Sequence, residues 1–417
     1  MKANGMLVAR SLLNATLIVL MLIGGGQSYG AEVGGIFAEP TTKDIGELLN
    51  IELLKGIKVR GWIDAYYVYN FNNPSRSTVN ANQGASVIKS SDLTIEGRTF
   101  DVHSNSFTFS LAEFEVEKVP EFGGVGFKFD LAYGDTMDII VDTIQAASGA
   151  DSVGDFDRYV QAASIAYVAP IGRGLRFDFG KFVTHIGGET IESIKNNNYS
   201  HAFFYTYGIP FQDTGLRIHY DWSDTFYTEF YLVNGWNVTS DNNDAKTFGA
   251  SIGWAPSPQF SAYLNYLVGN EQTDNNKWFS DLRNLVDAQV NFAATEQLNF
   301  GLNFDYATEE NAIGGTQGAQ WYGIAGYARY KVTDWFEPAL RVEWYRDDDG
   351  FTTGVAQDLV GLTLTFNLKL GLGKLANILI RPEYRFDISD ANFFTDGNNF
   401  RSEKTQHTFG LGTVFYF

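Results

Sequence analysis

The segment "NILIRPEYRFDIS", residues 377–389, carries Arg381, Glu383, Arg385 and Asp387 at every second position. A two-residue period places all four on one face of an extended strand. Each would cost about 2–4 kcal/mol at the midplane of a bilayer, so that face must meet water. The other face, with Ile378, Ile380, Tyr384, Phe386 and Ile388, is apolar. The chemistry on offer is that of a charged, hydrated wall. A second concentration lies in "IGGETIESIKNNNYSHAFFYTYGIPFQD", residues 186–213, where Glu189, Glu192 and Lys195 precede Phe203, Phe204, Tyr205 and Tyr207. A connection that met only water would not need so many aromatic residues.

Other chemistry finds less support. His185, His201 and His219 fall near Glu189 but lack regular ligand spacing. "RDDDG" (Arg346–Gly350) and "SDNNDAK" are acidic without the spacing of a calcium loop. No Ser-His-acid grouping stands out. The sequence therefore predicts no catalytic residue, no metal and no cofactor. A net charge of 30 − 49 = −19 excludes the basic stripe that nucleic acid requires.

The charged wall needs strands to carry it. "LNFGLNFDYAT" (Leu298–Thr308) and "GVGFKFDLAYG" alternate in the same way. Sixteen such runs are predicted, from 57–70 to 404–417, including 106–118, 298–308, 320–332, 335–346 and 377–388. Long polar links such as "DDDGFTTGVAQD" take turns with short ones such as "PIGRG", "WSD" and "TD". That asymmetry and the even number point to an all-β fold, a transmembrane antiparallel up-and-down β-barrel with short turns at one mouth and loops at the other. At sixteen strands an aqueous lumen remains. Phe107, Phe109 and Leu111 share one parity and Phe114 and Val116 the other, so the second strand should contain a bulge. Pro338 and Pro382 each remove a ladder donor, and bulges or breaks are expected there too. The eight tryptophans are expected to form two interfacial girdles.

On this register the lumen wall includes Arg60, Arg176, Arg217, Arg329, Arg341, Arg381, Glu383 and Arg385. Eleven bases face inward against eleven acids, which predicts no strong ion preference from the wall; the acidic loops tip the balance slightly towards cations. Residues 186–213 form the third long loop and should fold into the lumen, with Glu189, Glu192 and Lys195 at a constriction. The alternatives are a loop packed on its neighbours outside, and wall charges that merely pair across adjacent strands.

Lys2 and Arg10, the apolar run Leu12–Ile23 and the small residues near Ala31 read as a signal peptide over 1–31. Without it the charge is 28 − 49 = −21. Residues 32–56 form an N-terminal periplasmic arm or short helix, with Ile45, Leu48, Leu49 and Leu53 at helical spacing, and 57–417 form the barrel. The final "TFGLGTVFYF" alternates up to Phe417 and is similar to the signal that outer-membrane assembly machinery recognises. With 15% aromatic residues, 43 Gly and no Cys, the chain suits thinly spread apolar positions on exported strands.

"RGWIDAYYVYNFNNPS", "GVGFKFDLAYG", "FDFGKFVTHIGGETIE" and "IPFQDTGLRIHYDWSDTFYTEFYLVNGW" resemble the OmpL-like family of outer-membrane β-barrel porins. The resemblance covers roughly residues 57–417. It implies a passive pore for small hydrophilic solutes or ions in the outer membrane of a Gram-negative bacterium. The partners implied are outer-membrane lipid and lipopolysaccharide, the barrel assembly machinery through Phe417, and, by analogy with other sixteen-stranded porins, two further copies in a homotrimer. A surface receptor or adhesin on a plugged barrel is the alternative.

Overall fold

Extended backbone sends Phe300, Leu302, Phe304 and Tyr306 to one side and Gly301, Asn303 and Asp305 to the other. The first set lies exposed on the outer surface, while Asn303 and Asp305 are buried inside. This division runs round the whole molecule. The computed structural model describes residues 43–44, 55–74, 95–148, 157–272, 280–372, 377–397 and 401–417. The predicted signal peptide, the helical spacing over Ile45–Leu53 and Trp278 lie outside the described residues.

Sixteen strands close into one antiparallel barrel. They are β1 Ile57–Asn70, β2 Ser106–Lys118, β3 Val125–Tyr133, β4 Val160–Ala169, β5 Leu175–Val183, β6 Gln212–Ser223, β7 Phe226–Val233 and β8 Thr247–Ser257. The second half comprises β9 Phe260–Asn270, β10 Leu282–Ala293, β11 Leu298–Ile313, β12 Gln317–Tyr330, β13 Phe336–Asp347, β14 Gln357–Gly371, β15 Asn377–Ser389 and β16 Thr405–Tyr416. β16 pairs with β1, setting Thr408 opposite Asn70 and Tyr416 opposite Trp62. Phe417 extends the seam: its N–H donates to the Gly61 carbonyl at 3.0 Å, and its carbonyl accepts from Gly61 N–H at 3.3 Å. The Phe417 ring lies over Gly61, where a Cβ would collide with it. Closure leaves no ladder edge for lipid to face, which is the condition for strands to cross a bilayer.

The expected bulge in the second strand is present, and two other sequence expectations change. β2 does bulge: Asp64 pairs with Leu111 and Ala65 with Phe109, so Ser110 is the extra residue. The phase reverses before Leu111, which points inward, so Glu113, Glu115 and Glu117 join the lumen side. Pro338 and Pro382 cause no bulge, since their strands keep one register through Phe366 and Leu411 opposite them. Only the β14–β15 ladder skips beside Pro382, where the proline lacks an N–H. The alternation of loop lengths fails once. β11 and β12 run on to a hairpin over residues 314–316, because Gly314 and Gly315 both adopt positive φ, 62° and 73°, as tight turns require.

The tryptophans divide. Trp222, Trp254, Trp335 and Trp344 are exposed on the outside, as a girdle needs. Trp62, Trp236 and Trp321 are buried. The last two form an edge-to-face pair at 6.5 Å, and Trp321 Nε1–H donates to the Gly208 carbonyl.

Candidate functional site

The interior of the barrel on the long-loop side is occupied by chain. Three connections supply it: residues 95–105, the helix α1 Asp135–Ser148, and residues 184–211. Phe100, Val102, Met137, Ile140, Ile144, Ile191, Ile194, Phe203, Phe204, Tyr205 and Phe211 form one buried apolar cluster with wall residues such as Trp62, Leu111 and Tyr345. Asp135 and Asp138 in the first turn of α1 suit its N-terminal partial charge.

The third long loop crosses the lumen, and its backbone is satisfied by wall side chains where a strand would use a neighbouring strand. The Arg341 guanidinium on β13 donates to the carbonyls of Ser200 at 2.5 Å and His201 at 3.1 Å. It also pairs with Glu189 at 2.9 Å and Glu343 at 3.0 Å. Arg385 on β15 donates to the His201 carbonyl at 2.6 Å and lies over the Phe203 ring. Arg381 donates to the carbonyls of Ser193 and Asn196. The carboxylates do the converse. Glu383 accepts from the N–H groups of Tyr199 and Ser200, at 2.7 and 3.1 Å, and Glu343 from that of Phe203 at 2.5 Å. Charge-assisted bonds of this kind are about twice as strong as neutral ones. The alternating wall that the β15 sequence displays thus serves as a dock for one loop.

The three loop residues singled out by sequence diverge. Glu189 meets the basic wall in direct contact, accepting from Arg341 and from the Tyr327 hydroxyl at 3.0 Å. Glu192 turns the other way and accepts from Gln161 of β4 at 2.6 Å. Lys195 reaches Glu115 of β2 at 3.1 Å and covers the Trp62 ring at 5.1 Å. Glu189 is thus in contact with a wall base, whereas the base that meets Glu192 is Lys195 of the same loop, at 3.4 Å. Arg60 joins this group through Glu115. Arg176 and Arg217 stay apart, sharing Asp178, and Arg329 pairs with Glu337 at 3.5 Å.

Sequence reading missed Glu113, Glu115 and Glu117, whose inward phase depends on the Ser110 bulge, so the acids outnumber the balance drawn from the wall alone. It also missed α1, although Met137, Ile140, Val141 and Ile144 follow the helical spacing that would have revealed it. Glu113, Glu115 and Asp130 converge, but bases already meet them: Lys128 Nζ lies 3.3 Å from Asp130 and 3.9 Å from Glu115.

Two consequences can be measured. Gly412 on β16 faces the Tyr199 ring, and a Cβ there would overlap it. Tyr199 in turn donates to Asp64 at 3.0 Å. Gly412→Val is expected to cost about 1–3 kcal/mol by overpacking, read as faster hydrogen exchange across 193–203 with the barrel's circular dichroism unchanged. The second concerns His201, which donates from Nε2 to the Thr190 carbonyl at 2.7 Å and packs edge-to-face with Phe100 and at a tilt against Tyr205. Burial depresses its pKa below the ordinary value, outweighing the opposing pull of Glu189 and Glu383, while Arg341 adds to the depression. The undocked loop therefore takes up a proton that the docked loop refuses. Docking is at full strength above about pH 6.5 and weakens as pH falls below it. Open-channel current noise should rise between pH 8 and pH 5.5, and His201→Phe, which keeps the ring contacts, should flatten that rise.

A family model described as "Putative beta-barrel porin-2, OmpL-like" matches residues 56–417. No curated protein matches the sequence. Among solved structures, the outer membrane channel DcaP of Acinetobacter baumannii superposes with a TM-score of 0.52 at 12% identity, over 87% of this chain and 97% of that one. An anion-selective porin from Comamonas acidovorans gives 0.53 at 10% identity, over 87% and 99%. Both likenesses are of fold.

Proposed function

We propose, for a chain that belongs to the OmpL-like β-barrel porin family, that it forms a passive diffusion channel for small hydrophilic solutes or ions. The observation that carries this reading is the docking of residues 186–211 across a polar lumen by buried guanidiniums and carboxylates. A fixed loop narrows a pore without closing it by chance motion, because each anchor is charged, buried and paired on both sides. Glu189, Glu192 and Lys195 then border the narrowed section, with Arg341, Arg381, Glu383 and Arg385 holding the loop and Arg60 facing the passage. Arg176, Arg217 and Arg329 hydrate the wall away from the loop. The same reading places the protein in a Gram-negative outer membrane as a homotrimer among lipid and lipopolysaccharide.

Liposome swelling tests the reading. Proteoliposomes should swell rapidly in small neutral sugars and more slowly as solute size increases. The apolar cluster joining residues 95–105, α1 and the third loop favours a second reading, a barrel plugged by its loops that serves as a surface receptor or adhesin. Correctly folded protein that gives no swelling in any solute would select the second.

A further inference from the structure

The inward charges are layered, with the acids set behind the bases. Glu115 on β2 is 1% exposed, and three bases from three different elements converge on it: Arg60 from β1, Lys128 from β3 and Lys195 from the third loop. Arg60 and Lys195 each keep 12% of their side-chain surface and Lys128 keeps 27%. Of the other carboxylates they touch, Asp130 and Glu192 keep 1% and 3%, and Glu117, 3.9 Å from Arg60, keeps 24%. Arg217 stands in front of Asp178 in the same way. Among the described strand residues, the inward acids with comparable exposure are Glu117 and Asp221; Asp221 stands apart on β6, whereas Glu117 lies opposite Lys128 in register and 3.9 Å from Arg60, one acid beside three bases. An ion passing this cluster therefore meets three accessible bases and one accessible carboxylate, Glu117, with the other acids set behind them. Because Coulomb energy falls with distance, the nearer layer decides the sign of preference.

We propose that the lumen prefers small anions, which pass against Arg60, Lys128 and Lys195. This rests on the channel reading and reverses the slight cation lean drawn from the acidic loops, whose field at the mouth is screened within about 8–10 Å at physiological salt. Acids at the mouth act on ions still in bulk water, whereas the basic layer acts inside the lumen, beside the docked loop.

The test is the reversal potential of the refolded full-length protein in a planar bilayer under a tenfold potassium chloride gradient. The expected sign is that of a chloride-preferring pore. Lys128→Gln should lower the anion-to-cation permeability ratio by about sixteenfold, because loss of one unit charge roughly 5 Å away in water disfavours the anion about fourfold and favours the cation about fourfold. Lys331→Gln is the control: Lys331 is paired with Asp334 in the short β12–β13 link, and the ratio should stay unchanged. Steady channels with a cation-preferring sign, or a ratio indifferent to Lys128→Gln, would overturn the proposal and leave the channel reading standing. Folded protein without channels would overturn both.

Discussion

Replacing Arg341 with alanine should release the third loop and raise single-channel conductance, by about twofold or more if the loop swings clear of the lumen. Arg341 is fully buried and touches two carboxylates, two loop carbonyls and the Thr363 hydroxyl at 3.2 Å. Removing it strands Glu189 and Glu343 as buried anions without that partner, a loss of about 3–5 kcal/mol. The barrel itself should survive, because no ladder bond depends on the side chain. Glu343 retains Arg385 at 3.5 Å and the Phe203 N–H, but among the described residues Glu189 keeps as donors the Tyr327 hydroxyl and the Ala202 N–H, neither of them cationic. The loop should therefore detach first at Glu189 and at the Ser200–His201 carbonyls. Arg341→Lys separates charge from geometry: an ammonium cannot span both carbonyls and both carboxylates, so partial release is expected. Wild-type conductance in the alanine variant, with unchanged noise, would mean that the loop is held by its apolar cluster alone.

Phe204→Ala attacks that cluster. Phe204 is fully buried among residues from the first, second and third long connections and from the wall. Truncation of a buried phenylalanine costs about 3–5 kcal/mol, which corresponds to about two to three and a half orders of magnitude in an opening equilibrium. If the three connections form one cooperative unit, hydrogen exchange should accelerate together across 95–105, 135–148 and 186–211. The strand amides should keep their protection. Acceleration confined to α2, Phe203–Tyr207, would show that the loops dock independently.

The barrel was legible because its signal is repeated sixteen times. Leu298–Tyr306 or Ile378–Asp387 alone could belong to any half-buried sheet, but successive runs with a consistent inner and outer face leave few other folds. The site was legible in part. Arg381, Glu383 and Arg385 stood out because a charged stripe on a strand has no place in a dry interior, and the aromatic run Phe203–Tyr207 marked a loop that could not be wholly hydrated. Their partners were not legible, since Arg341–Glu189 and Glu383–Ser200 join residues far apart in sequence, and no local spacing encodes such contacts. β2 shows the same limit on a small scale. One extra residue, Ser110, turns Leu111 inward and brings Glu113 and Glu115 to the lumen, and without its position the inner acids of that strand could not be assigned.

The measurement that tests the central claim most directly is single-channel recording of the refolded wild-type protein in a planar bilayer. A narrowed aqueous pore predicts discrete, uniform conductance steps that scale with salt concentration and are smaller than those of the Arg341→Ala variant. Absence of steps from protein that runs as a folded, heat-modifiable barrel on a gel, with steps appearing only once the loop is released, would contradict it. The interior chain would then be a plug, and the exposed loops the working surface.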